Sequence, residues 1–188
     1  MLEVITGPMF SGKSEELIRM IKRYKIAKKN VLLFNNKLNT RDKSYIKSRN
    51  GNKIECKLIN SLDEIIDIII SENTNNGKMI DVIGIDEIHL FNSSGIDKLI
   101  DITNIGIKVI VSGLDLDCYD NPFNITANLM CYADRIQKLT SICIVCGNIC
   151  TRTQRFINNI ADNDNKNKIM IIDDKKNIEY KPICKMCK

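Results

Sequence analysis

Gly7-Pro8-Met9-Phe10-Ser11-Gly12-Lys13-Ser14 decides the fold, because a strand-like run, Leu2-Glu3-Val4-Ile5-Thr6, leads into it and a helix-like run starting at Lys13 leads out. Gly-x4-Gly-Lys-Ser between a strand and a helix is the Walker A arrangement. Its glycines let backbone N–H groups close round phosphate oxygens, and the helix start adds its positive dipole. Lys13 places a cation at the β and γ oxygens of a nucleoside triphosphate, and Ser14 is placed to ligate Mg²⁺. A glycine turn with no ligand is the plainer alternative.

Outward from the loop, the helical run 13–28 sets Leu17, Ile18, Ile21 and Tyr24 on one face. A second strand is expected over 31–34, then a polar stretch over 35–53 that contains Arg41 and Asn50-Gly51, then a strand over 54–59. Ser61 with Glu64 reads as a capping box for a helix through residue 70. Residues 82–85 and 109–111 read as strands, with a helix over 95–102 between them. This alternation predicts an α/β fold, a mainly parallel sheet with helices on both faces.

A phosphate loop needs an acid at the end of a neighbouring strand, and Val82-Ile83-Gly84-Ile85-Asp86 supplies it. Asp86 is positioned to hold Mg²⁺, directly or through water, and the adjacent Glu87 to take a proton from an attacking hydroxyl. Read literally, Asp86-Glu87-Ile88-His89 is a DExH box, so a nucleic-acid motor competes with a small kinase. Such motors sandwich ATP between two similar domains, and one domain already occupies most of the chain. A zinc-bearing nucleotide-binding regulator without turnover is a third alternative.

The character of the sequence changes near Ile142. Short β-like runs at 153–157 and 168–172 flank an Asn- and Asp-rich connector over 158–167, and apolar residues become scarce. Cys143-Ile144-Val145-Cys146 and Cys184-Lys185-Met186-Cys187 are two C-x2-C knuckles. Four thiolates presented this way suit a tetrahedral structural Zn²⁺, whose binding would supply the folding energy that the missing core does not. Cys150 has the wrong spacing for a ligand, and Cys56, Cys118 and Cys131 are expected to be buried apolar residues.

The bulk properties agree. With 188 residues, 44% of them hydrophobic, the chain can bury one good core plus a small appendage. The net charge of +5 fits an anionic ligand as well as a lysine-rich surface with no partner. Met1 to Thr6 carries an acid and runs into strand, unlike a signal peptide, and the apolar run 65–70 is short and interrupted by Asp67. A cytoplasmic protein with reduced thiols, and with neither membrane nor nucleic acid as partner, is expected.

Taken in order, the Walker A loop with Met9 and Phe10, the Asp86-Glu87 pair and the two cysteine pairs closely resemble the type II thymidine kinase family. Further stretches are similar: Val109-Ile110-Val111-Ser112-Gly113-Leu114-Asp115, Pro122-Phe123, Leu139-Thr140-Ser141-Ile142-Cys143, Arg152-Thr153-Gln154-Arg155, and Tyr180 ahead of the last cysteine pair. The resemblance implies a P-loop (RecA-like) kinase domain over 1–141 and a zinc-bound lid domain over 142–188. It implies transfer of the ATP γ-phosphoryl group to the 5'-hydroxyl of thymidine or deoxyuridine.

Glu87 would be the general base, and Lys13 and Arg41 would stabilise phosphoryl charge. Ser14 with Asp86 would organise Mg²⁺, and Ile88 and His89 would complete the phosphate side. Met9, Leu114, Cys118, Phe123, Thr153 and Tyr180 would surround the nucleoside, with Ile169, Met170, Ile171, Ile172 and Asp173 forming the lid that holds the base. A homotetramer and feedback by thymidine triphosphate are also implied. The chain departs from the family pattern at His89-Leu90, where the family has Gln-Phe, and at Cys118, where it has an aromatic residue. It departs again at Asp173-Asp174, where the family has glycines, and at Arg49, where it has His.

Overall fold

The computed structural model describes residues 1–39, 44–77, 79–163 and 177–188. Its centre is a six-stranded sheet. Strand β1 (Leu2–Thr6) is followed by helix α1 (Lys13–Ile26) and strand β2 (Val31–Asn36). Further along come β5 (Lys57–Ile59), β6 (Val82–Ile85), β7 (Lys108–Gly113) and β8 (Arg135–Lys138). The strands lie in the order β5-β2-β6-β7-β1-β8, and every pairing between them is parallel. Parallel neighbours require crossovers, which is why the strands alternate with helices.

The sheet is covered on both faces. On one, α1 buries Leu17, Ile18, Met20 and Ile21 against Ile5, Leu33, Val82 and Ile110. Glu15 and Glu16 in its first turn, and Arg23 and Lys25 in its last, complement the helix dipole. The other face carries α2 (Glu64–Asn76), α3 (Ile96–Asn104) and α4 (Asn124–Tyr132). There Ile65, Ile69, Leu99, Ile102, Ile125 and Leu129 pack on Val4, Phe34, Ile83, Ile85, Val109 and Val111. Successive strand residues point to opposite faces, so a sheet buried on both sides needs the continuous apolar strands found here.

The α/β architecture read from the sequence is therefore present, with local differences. The strand expected over 54–59 is two strands broken at Cys56: β4 (Lys53–Glu55) pairs antiparallel with β3 (Tyr45–Lys47), and β5 joins the main sheet. Only half of the expected capping box forms. The Glu64 carboxylate accepts from Ser61 N at 3.0 Å, while the Ser61 hydroxyl turns to Asp63 and the helix begins at Glu64. That helix runs past residue 70 to Asn76. Cys131 is exposed rather than buried.

Beyond the sheet, β9 (Ser141–Ile142) and β10 (Ile149–Cys150) form an antiparallel ribbon. Then β11 (Arg152–Ile157), β12 (Ile160–Ala161) and β13 (Ile178–Ile183) form a three-stranded antiparallel sheet in the order β12-β11-β13. The expected connector opens with a two-residue hairpin. Asn158 and Asn159 both have positive φ, 51° and 65°, as a type I' turn demands. The run expected over 168–172 lies outside the described residues. No helix among the described residues is long and apolar enough to cross a membrane.

Candidate functional site

Residues 7–14 leave the carboxyl end of β1 and return as the first turn of α1. Two glycines make that path open to the chain. Gly7 has φ +142°, and a Cβ there would collide with the Leu139 carbonyl; Gly12 has φ +85° at the helix start. Both conformations strain an L side chain. The loop is braced internally, since Lys13 Nζ and Ser11 Oγ both donate to the Pro8 carbonyl, at 2.7 and 2.9 Å. Phe10, at φ 65°, is 46% exposed.

The two acids follow β6 directly. Asp86 is only 4% exposed, and its backbone N–H is held by the Phe34 carbonyl at 3.0 Å. Burial, aided by the negative charge of Glu87, lifts its carboxyl to about 7, against the opposing pull of the Ser112 and Ser14 hydroxyls. Glu87 turns left-handed, with φ 52°, and its side chain faces the loop. Burial lowers the pKa of Lys13, opposed by the carboxylates of Glu87, Asp86 and Asp115. Lys13, Arg49 and these acids thus occupy a single electrostatic neighbourhood.

A cavity of about 700 Å³ joins Met9, Phe10, Gly12, Lys13 and Ser14 to Glu87 and Leu114. Other residues named from the sequence stand immediately behind it. Met9 N donates to Thr153 Oγ1 at 3.0 Å, which ties the loop to β11. Leu114 N donates to His89 Nδ1 at 3.2 Å, and the His89 ring lies against Phe123 with centroids 4.8 Å apart. His89 is buried, and burial together with the charge of Lys13 pushes it down to about 3, so it is neutral. Its tautomer follows from these contacts: Nδ1 accepts, and Nε2 carries the proton.

Asp86, His89, Phe123 and Thr153 are not part of the cavity wall itself, and neither are Ile88, Cys118 and Tyr180. Ile88 is fully buried in the core. The Cys118 carbonyl accepts from Lys188 Nζ at 2.8 Å, and burial with the Asp117 charge pushes its thiol up to about 11. Tyr180 is half-buried on β13 opposite Arg155. Tyr119, the aromatic neighbour of Cys118, donates its hydroxyl to Asp162 at 2.9 Å and so ties its loop to the C-terminal strands. Arg41 and Ile169, Met170, Ile171, Ile172 and Asp173 lie outside the described residues.

The sequence reading passed over part of the cavity wall. Glu15, Asn39, Lys47, Ser48, Arg49 and Asn50 also line it, three of them from the turn between β3 and β4. The usable signal was Asn50-Gly51 between Tyr45-Ile46-Lys47 and Lys53-Ile54-Glu55, two short alternating runs across a turn.

At the far end, Cys143, Cys146, Cys184 and Cys187 bring their sulfurs within 4.8 Å of one another. A zinc ion bound to four thiolates holds its sulfurs about 3.8 Å apart, from Zn–S bonds of about 2.3 Å in a tetrahedron. The 3.6 Å separation of Cys146 and Cys184 fits that spacing. Burial opposes ionisation of Cys143, but amide hydrogen bonds from Cys146, Cys184 and Val145 outweigh it and bring the thiol down to about 6. The donor set is one that supports a structural zinc site.

The family model for thymidine kinase matches residues 1–188 of this chain. A thymidine kinase of Mycoplasma genitalium is 40% identical over 184 residues, covering 98% of this chain and 81% of that protein. Nothing in either match favours the motor suggested by Asp86-Glu87-Ile88-His89. With a family match that runs the length of the chain and four cysteine sulfurs gathered near its C-terminal end, it belongs to the thymidine kinase family.

Proposed function

We propose that this chain transfers the γ-phosphoryl group of ATP to the 5'-hydroxyl of thymidine or deoxyuridine. The observation that carries the reading is the single cavity in which Lys13 and Ser14 of the loop face Glu87 and Leu114. A phosphate-binding loop, a candidate base and an apolar wall on one cavity suit a kinase acting on a small acceptor. The strand order supports a RecA-like phosphate-loop fold, because β7 separates the loop-bearing β1 from β6, which carries Asp86.

In the reaction the 5'-oxygen attacks the γ-phosphorus as the bond to the β,γ-bridging oxygen breaks. ADP leaves with that electron pair, and the hydroxyl proton passes to Glu87. Lys13 and Arg41 neutralise charge on the phosphoryl oxygens, and the loop amides hold the β-phosphate. Ser14 and Asp86 would hold Mg²⁺, which when bound would supply further charge neutralisation on the triphosphate. Met9, Leu114, Cys118, Phe123, Thr153 and Tyr180 position the nucleoside.

Residues 1–141 then act as the kinase domain. Residues 142–188 act as a zinc-anchored lid whose segment Ile169 to Asp173 covers the base and excludes water from the phosphoryl group. The resemblance to type II enzymes supports a cytoplasmic homotetramer restrained by thymidine triphosphate. Incubating the protein with labelled ATP, Mg²⁺ and a panel of nucleosides tests the reading. Thymidine and deoxyuridine 5'-monophosphates are the expected products, and a panel yielding no 5'-monophosphate overturns it.

A further inference from the structure

The loop between β7 and α4, residues 114–123, starts at Leu114 on the cavity wall and ends at Phe123 beside the His89 ring. Its two limbs are pinned at the base. Phe123 N donates to the Asp115 carbonyl at 2.9 Å, and Leu116 bridges to Pro122. The tip turns on Asp117, whose carboxylate accepts from Tyr119 N at 2.8 Å and from Asn121 N at 2.9 Å. Contacts within a loop shape it, and contacts to its surroundings place it.

Lys188 supplies three contacts of the second kind. It directly follows Cys187, and its backbone N–H closes the second cysteine knuckle on the Cys184 carbonyl at 3.1 Å. Its Nζ donates to the Cys118 carbonyl and to Asp120 Oδ1, each at 2.8 Å, and to the Thr153 carbonyl at 3.4 Å. An ammonium carries three N–H donors, so these acceptors match it in number. The residue as a whole is exposed, but its side chain is only 16% exposed. Arg152 Nε brings a second cation to Asp120 at 3.2 Å. Thr153 is also the residue whose hydroxyl accepts from Met9 N. One ammonium therefore joins the knuckle, the tip of the loop and the strand that braces the phosphate loop.

Hydrogen bonds from an ionised donor are about twice as strong as neutral ones. A loop already ordered binds its ligand more tightly than one that must be ordered on binding, because the entropy loss then falls outside the affinity. We propose that Lys188 is a positioning residue for the nucleoside, holding the loop over 114–123 against β11 so that Leu114 and Phe123 stand in place before the acceptor arrives. The inference rests on the nucleoside-kinase reading of the site and extends it to a side chain that is not on the cavity wall.

Lys188→Met keeps an unbranched stem and removes the donors. Its KM for thymidine should rise roughly 10-fold, with kcat, calorimetric Mg-ATP affinity and zinc content unchanged. Lys188→Arg, which keeps a cation beside Asp120, should recover part of that rise. Asp120→Asn breaks the ion pair from the loop side, at a φ of 68° that Asn tolerates. It should raise KM less, and the double variant should raise it by less than the product of the two single effects. An unchanged KM, a matching loss of Mg-ATP affinity, or multiplicative effects in the double variant overturns the proposal. Loss of zinc from Lys188→Met overturns it too, since Lys188 would then serve the knuckle rather than the loop. Amide exchange over 116–121 should quicken in Lys188→Met while β11 keeps its protection, and unchanged exchange there contradicts the role. That readout decides the role of Lys188 even where the unaltered protein phosphorylates no nucleoside and the kinase reading fails.

Discussion

Around the six-stranded sheet, Ile5, Phe34, Ile83 and Ile85 are completely enclosed between α1 on one side and α2, α3 and α4 on the other. Beyond Ser141 the described residues bury only Pro182, Ile183 and three cysteines as apolar side chains. The first region gains its stability from area removed from water, at about 25 cal/mol per Å². The second has too little apolar area for that and instead gathers four sulfurs. The two meet at the substrate end of the sheet, through Met9 to Thr153 and Tyr119 to Asp162. One side of the cleft is therefore rigid by burial, and the other is only as ordered as its metal site.

Metal removal should break this comparison most sharply. Structural zinc contributes on the order of 10 kcal/mol to small domains that depend on it. Cys184→Ser, or the unaltered protein with a strong chelator, should lose bound zinc and amide-exchange protection over β9 to β13, with protection of β1, β2, β6 and β7 retained. Hydrogen exchange read peptide by peptide checks this. Intact folding and metal content in Cys184→Ser would show that the cysteines are not ligands.

The reverse lesion is smaller. Ile83→Ala in the centre of the sheet should cost about 3 kcal/mol by the lost transfer energy and the residual cavity. Denaturant unfolding should show that cost with zinc content unchanged.

That division was largely legible in the amino-acid order. Leu17, Ile18 and Ile21 mark the inward face of α1 at helical spacing, and the strands 82–85 and 109–111 are apolar without interruption, as strands covered on both faces must be. The paired cysteines declared themselves by their spacing. Where the reading failed, the local signal was weak. Tyr45-Ile46-Lys47 is too short for alternation to stand out, so it read as part of a polar stretch, while Ile54 and Glu55 were merged with the strand that follows Cys56. Helix α4 begins Asn124-Ile125-Thr126, poor helix formers held by tertiary packing of Ile125 and Leu129. The contact of His89 with Leu114 depends on two segments 25 residues apart, which periodicity cannot reveal.

His89 offers the smallest and most selective of these tests, being the only histidine in the chain. Its pKa falls from 6.5 to about 3 on folding, so the native state binds fewer protons, and its contribution to stability is lost as pH drops below about 6.5. The loss amounts to about 1.4 kcal/mol per pH unit while only the unfolded chain is protonated. Asp86, raised to about 7, acts in the opposite sense over much of the same range, so a single profile mixes the two. The difference between the unaltered protein and His89→Gln isolates the histidine. Denaturation midpoints from pH 7 to pH 5 should fall more steeply when His89 is present, and parallel profiles would contradict its burial as a neutral ring.

Glu87 lines one cavity with the phosphate loop and is proposed as the general base, and single-turnover phosphorylation of thymidine by Glu87→Gln tests that role most directly. Substitution by Gln preserves shape and removes the proton acceptor. Mg-ATP binding should persist while thymidine 5'-monophosphate forms roughly 100- to 10,000-fold more slowly. Formation of thymidine 5'-monophosphate at the unaltered rate by Glu87→Gln would contradict the account.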